Sequence, residues 1–170
     1  TNFLDEKTEE NFLDIIKNQM KNITVLFVSH KRKSLQICDD IYKITIMGKI
    51  ISETLQLPSE GKFNMFKADA AFSDSDGNFG DAIGRGVIET NNNNKITNLY
   101  AVLVFKTTDG STMLTRPIRT ESDIKAGTGS FDILNATGAF KKYLNYKCKY
   151  AIFRTASNAF IQENVCKKPF

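Results

Sequence analysis

Residues from Lys62 onward form short strand-like segments at regular spacing, and no helical period interrupts them. Clusters of turn-forming residues lie between several of these segments, at Ser73–Asn78, Asn91–Asn94 and Thr107–Ser111. Such residues supply positive φ angles and local side-chain hydrogen bonds. The predicted strands are Phe63–Phe72, Ala82–Glu89, Ile96–Lys106, Thr112–Thr120, Ser130–Leu134, Leu144–Arg154 and Ala159–Val165. This spacing predicts an antiparallel meander that closes into a barrel or folds into a sandwich.

The first 55 residues show a different pattern. After Thr8-Glu9-Glu10, apolar residues recur at the spacing of a helix. These apolar positions are Phe12, Leu13, Ile15, Ile16 and Met20. The run Ile23–Val28 is continuously apolar, as in a parallel strand that is buried on both faces. The other predicted elements are a short helix at Lys33–Cys38 and two strands, Ile41–Met47 and Lys49–Glu53, on either side of Gly48.

Together the two patterns predict an α+β protein in two parts. Residues 1–55 are expected to form an incomplete α/β part with a parallel sheet, and residues 62–170 an antiparallel β-barrel. Residues 56–61 are expected to link them, because the stretch around Pro58 has no strong period.

Composition excludes several classes of protein. Among the 170 residues no apolar run is long enough to form a transmembrane helix. The formal net charge is only +4 and the basic residues are scattered, which argues against a nucleic-acid partner. The three cysteines and the single histidine have no usual zinc-site spacing. An odd cysteine count indicates reduced thiols in the cytoplasm, although Cys148 and Cys166 could pair in an exported protein.

Four segments follow one another in the first part: Thr1–Asp5 with Thr8-Glu9, Thr24–His30, Cys38–Lys43 and Gly48–Ile51. In this order and spacing they resemble the D-loop, the switch-histidine strand and the closing strands of an ATP-binding-cassette (ABC) transporter's nucleotide-binding domain. The resemblance covers residues 1–55 and is greatest to exporter-type cassettes. It implies that His30 contacts the γ-phosphate and that Asp5 reaches across a cassette dimer. These two residues are the catalytic candidates.

The phosphate-binding machinery of that family is missing from the sequence. Phosphoryl transfer needs a backbone cradle, a lysine and a carboxylate that holds Mg²⁺. No G-x-x-x-x-G-K-[S/T] motif, no Leu-Ser-Gly-Gly-Gln signature and no Walker B strand occur. The first part is therefore interpreted as a truncated ABC ATP-binding subunit fused to a barrel, which does not hydrolyse ATP alone. Whether this is a natural fusion, a truncation or an artefact is left open.

This interpretation also sets the expected cofactors, partners and location. The chain is expected to hold no cofactor by itself, and ATP and magnesium would bind only in a complete cassette. In a longer protein the resemblance implies a cassette dimer and a transporter membrane domain as partners. The expected location is cytoplasmic, at the membrane periphery through such a transporter.

A glycine-rich motif stands out in the second part, Gly127–Ile133 followed by Ala136–Phe140. Glycines are expected to let a strand bend at a barrel corner, with Phe131, Ile133 and Phe140 pointing inward. The motif resembles a segment of the allene oxide cyclase and dirigent barrels, and the resemblance covers residues 62–155. It implies an eight-stranded barrel around an apolar cavity, which in the cyclases holds an unsaturated fatty-acid epoxide.

The alternative function is therefore a barrel that binds a small apolar ligand, or a cyclase-like isomerase. Aromatic residues are the candidates for lining a cavity, although they could equally fill a solid core. These candidates are Phe63, Phe66, Phe72, Tyr100, Phe105, Phe153 and Phe160. No catalytic residue is carried over from the cyclases, and Glu89, Glu121 and Asp132 are expected at the surface.

Overall fold

The computed structural model describes residues 6–19, 41–58 and 61–169. The chain divides into two compact units, Thr1–Asp40 and Ile41–Phe170. In the first unit, α1 spans Glu6–Gln19, which confirms the helix predicted from the apolar period. The residues predicted as the strand Ile23–Val28 and the helix Lys33–Cys38 lie outside the described ranges. In those ranges no helix has the length and apolar character that crossing a bilayer requires.

The second unit is a closed barrel of eight antiparallel strands, each paired with its neighbours along the chain. Its first strand also pairs with its last, so that Ile44 lies opposite Asn164 and the sheet has no free edge. A 3₁₀ helix, Gly138–Tyr143, joins β6 to β7. The strands are β1 Ile41–Gln56, β2 Lys62–Asp74, β3 Phe79–Thr90, β4 Ile96–Thr107, β5 Thr112–Ile118, β6 Ala126–Ala136, β7 Lys147–Arg154 and β8 Ala159–Lys167.

The prediction of an α/β part is wrong for the strands predicted at Ile41–Met47 and Lys49–Glu53, which the structure describes. Residues predicted as two strands of a parallel sheet form one strand, β1, which pairs antiparallel with β2 and β8. Gly48 does not separate two strands. A Cβ atom at this position would lie 2.4 Å from the carbonyl oxygen of Asp69 and from the Cβ of Ala70, so glycine lets β2 approach β1 closely. Because β1 closes the barrel, its apolar residues serve an antiparallel core.

The core follows from alternation along each strand, since successive side chains point to opposite faces. In β1, Tyr42, Ile44 and Ile46 are almost fully buried. Phe131, Ile133 and Phe140 of the glycine-rich motif are also buried, as predicted.

Aromatic rings fill one end of the barrel, which we call the aromatic end. Phe72 packs edge-on against Phe105 with ring centroids 5.2 Å apart. Phe140, from the 3₁₀ helix, lies 6.0 Å from Phe72. Tyr42 donates a hydrogen bond of 2.7 Å to Asp74, and the hydroxyl of Tyr143 donates one to Asp76. This end is therefore packed solid by aromatic side chains whose polar tips are satisfied at the rim.

A disulfide joins β7 to β8. Cys148 and Cys166 are directly opposite in the strand register, and both are buried. The sequence alone had left this pairing open.

Candidate functional site: an interior cavity with two arginines

A cavity of about 70 Å³ lies inside the barrel, between the aromatic end and the opposite end. Inward-facing residues of all eight strands line it. Much of its wall is apolar, including Ile50, Phe66, Leu103, Phe105, Phe131 and Phe160. Phe105 also belongs to the packed aromatic end, so it forms the floor of the cavity. Pockets for drug-sized ligands usually exceed about 300 Å³. The volume here therefore fits a short or slender molecule.

Arg119 lies at the opposite end, just after β5, and we call this the arginine end. Its side chain lines the cavity although the residue is only 7% exposed. Its Nε donates to the Ser122 hydroxyl at 2.5 Å, and a terminal nitrogen donates to the carbonyl oxygen of Asp123. Burial lowers the pKa of the guanidinium, while the charges of Tyr150 and Asp123 oppose that shift. The loop after β5 thus fixes a buried cation at the cavity.

Arg154, the last residue of β7, also lines the cavity. Burial lowers the pKa of its guanidinium, and the positive charge of Arg119 lowers it further. No hydrogen bond or ion pair to the side chain of Arg154 is found among residues 6–19, 41–58 and 61–169. No Asp or Glu lines the cavity within those residues either. Arg154 is therefore a half-buried cation that lacks a counter-ion in the described structure.

Tyr150 lies four positions before Arg154 on the same face of β7. It is 5% exposed, and burial raises the pKa of its hydroxyl to about 12, partly offset by the charge of Arg119. No hydrogen bond from this hydroxyl is found to any residue that the structure describes. The hydroxyl is thus a second unpartnered polar group at the cavity.

The glycine-rich motif makes room for these side chains. A Cβ atom at Gly127 would lie 2.7 Å from a terminal nitrogen of Arg119. At Gly129 a Cβ would lie 2.7 Å from the hydroxyl of Tyr150 and 2.5 Å from the carbonyl oxygen of Ile118. Real Cβ atoms do not approach other atoms so closely. At Gly129 the backbone oxygen of Ile118 requires glycine, whereas at Gly127 a Cβ would have to displace the side chains of Arg119 and Ser122. The two glycines of β6 therefore leave space for the side chains of Arg119 and Tyr150 beside the cavity wall.

Other polar side chains of the cavity wall bond within the protein. Gln162 donates to Asn164 at 2.7 Å, and Asn164 donates to the carbonyl oxygen of Ile44 at 2.8 Å. Thr115 donates a long hydrogen bond, 3.4 Å, to the carbonyl oxygen of Leu103. These groups are satisfied within the wall, whereas the side-chain polar atoms of Arg154 and Tyr150 have no hydrogen-bond partner among the described residues.

Several residues predicted to line a cavity do so, and others do not. Phe66, Phe105 and Phe160 line it, and Phe72 is buried in the aromatic end. Tyr100 and Phe153 are more than half exposed, because they occupy outward positions of β4 and β7. Phe63 is half-buried and does not line the cavity.

The predicted carboxylates do not contribute to the cavity. Glu89, Glu121 and Asp132 are not among its lining residues, and Asp132 pairs with Arg116 at 3.0 Å on the outside. Asp5 and His30 lie outside the described residues. No group of metal-ligating side chains occurs in the part of the chain that the structure describes.

Sequence reasoning missed Arg119, Arg154 and Tyr150. The missing signal was the period of two along a strand. Arg154 shares the inward phase of Cys148, Tyr150 and Ile152, so this period places its side chain on the inner face of the barrel.

Comparison with known proteins gives no match: no protein-family model, no curated protein and no solved structure is significantly similar to this chain.

Proposed function

We propose that the barrel binds a small, largely apolar ligand in its interior cavity. The observation that carries this proposal is the coexistence of apolar walls with two unpartnered polar groups, Arg154 and Tyr150. Tyr150 is 5% exposed and Arg154 is half-buried, so a ligand that pairs with these groups would offset the free-energy cost of their desolvation. An eight-stranded barrel is also the size at which the interior either fills with side chains or holds one small ligand.

Two further hypotheses from the sequence stay predictions. The remnant of an ABC ATP-binding subunit rests on landmarks that include Asp5 and His30, which lie outside the described residues. The cyclase-like isomerase rests on the glycine-rich motif. In the described structure, Gly127 and Gly129 of this motif leave room for the side chains of Arg119 and Tyr150. This is a structural role, so we confine the proposal to binding.

The test is calorimetric titration of the full chain with butanoate, using one cavity-filling variant and one matched control. Ala68 lines the cavity and is 4% exposed, whereas Ala71 points outward on the same strand. We expect Ala68→Leu to weaken binding about tenfold or more, since even single methylenes count in an apolar pocket. Ala71→Leu should leave binding unchanged.

Thermal melts of both variants establish that they fold, because overpacking a core costs about 1–3 kcal/mol. Absence of saturable binding to the unmodified chain would contradict the proposal. Equal affinity of the folded Ala68→Leu variant and the unmodified chain would place binding elsewhere.

A further inference from the structure

We infer that the ligand carries a single negative charge, a carboxylate, and that Arg154 binds it with help from Arg119 and Tyr150. This inference rests on the proposed binding function and adds the chemistry of the head group. It begins from the charge balance at the arginine end.

The two arginines are the charged side chains that line the cavity within the described residues. Asp123 attracts Arg119 electrostatically, and its backbone carbonyl oxygen accepts a hydrogen bond from that guanidinium. Arg154 has no such compensation and is repelled by Arg119. The arginine end therefore has an excess of one positive charge, which a monoanion neutralises.

Geometry favours a carboxylate as that monoanion. A guanidinium presents parallel N–H donors that match the two oxygens of a carboxylate. The hydroxyl of Tyr150, on the same face of β7, supplies a further donor. Arg119 is held by Ser122 and Asp123, so it does not need to be ordered when the ligand binds.

The walls define the direction in which the ligand lies. The head group sits at the arginine end, and the chain extends toward the floor at Phe105 past Leu103 and Phe131. Because the cavity volume is only about 70 Å³, a single unbranched alkyl chain fits better than a ring system or a two-chain lipid. The ligand class is thus a short-chain monocarboxylic acid.

The test compares butanoate with 1-butanol, two short probes with the same chain length and different head groups, by calorimetric titration of the full chain. We expect butanoate to bind the unmodified protein about tenfold or more tightly than butanol, the size of effect that a charged hydrogen bond produces. Arg154→Met should remove that preference. Arg154→Lys should retain part of it, because the charge remains and the paired donors are lost.

Arg116→Met is the matched control, since Arg116 carries the same charge on the outside of the barrel. It should change butanoate affinity less than about twofold, as expected of an exposed ion pair. Equal affinity for butanoate and butanol in the unmodified protein would overturn the head-group assignment and leave the binding function standing. Binding of neither probe would instead count against the proposed function itself.

Discussion

The ring of Tyr42 stacks on the ring of Tyr143, with centroids 3.7 Å apart and planes 11° from parallel. Tyr42 begins the barrel in β1, and Tyr143 ends the 3₁₀ helix that follows β6. The stack therefore joins residues 101 positions apart in sequence and seals the aromatic end. The charged side chains of the cavity, Arg119 and Arg154, lie at the opposite, arginine end.

Tyr143→Ala is expected to destabilise the barrel by about 3–5 kcal/mol, the cost of removing a buried aromatic side chain. The variant loses the stack on Tyr42, the edge contact with Tyr146 at 5.1 Å and the hydrogen bond to Asp76. Urea unfolding measures the change. Tyr100→Ala is the control, and its cost should stay under about 1 kcal/mol because Tyr100 is 65% exposed. Similar losses of unfolding free energy in the two variants would show that the aromatic end is not tightly packed.

Alkaline pH should destabilise the barrel through its buried tyrosines. Burial raises the pKa of Tyr42, Tyr143 and Tyr150, and hydrogen bonds to Asp74 and Asp76 add to the shift for the first two. The unfolded chain then loses these protons near pH 10, before the folded chain does. Stability is therefore fully present below about pH 10 and falls as the pH rises above it.

Urea unfolding at pH 8, 10 and 11 measures that decline. Tyr150→Phe should make the decline shallower, which separates the tyrosine effect from lysine titration in the same range. A Tyr150→Phe variant with the slope of the unmodified protein would argue against a buried, neutral hydroxyl at this position.

Reduction of the disulfide should lower stability by about 3 kcal/mol, the value expected for a closed loop of about 15 residues. Cys148 and Cys166 are 18 residues apart, on adjacent strands. Melting curves with and without dithiothreitol test this. A Cys148→Ala, Cys166→Ala double variant should melt at one temperature under both conditions. If the unmodified protein also ignores the reductant, and both thiols react with a thiol reagent once the chain is unfolded without reductant, the bond is not formed.

Gly129→Ala should destabilise the protein and weaken ligand binding together. The added Cβ meets the backbone oxygen of Ile118 and the ring of Tyr150, so the strand or the ring must shift. We expect a cost of about 1–3 kcal/mol, as for other overpacked sites. At Gly84 the closest atom is the end of the Leu103 side chain, which can move, so Gly84→Ala should cost less. The reverse order of the two costs, measured by urea unfolding, would contradict this role for Gly129.

The meander from Lys62 onward could be predicted from sequence because turn clusters mark most of its strand ends. The prediction failed at β1, whose residues also fit the closing strands of a cassette. A strand with buried Ile44 and Ile46 has the same sequence pattern in a parallel sheet and in a barrel. Only its pairing with β2 and β8 distinguishes the two folds. The site was harder to predict because Arg119 follows a strand end and meets Arg154 only when β5, β6 and β7 lie side by side.

The central claim is that ligand enters the barrel, and its most direct test is an NMR experiment with ¹³C-labelled butanoate bound to the full chain. Nuclear Overhauser effects from the alkyl protons should reach inward residues such as Phe66, Leu103 and Phe131. They should not reach Tyr100 or Phe153, which point outward. Contacts confined to these outward rings, with none to the inward set, would contradict the account.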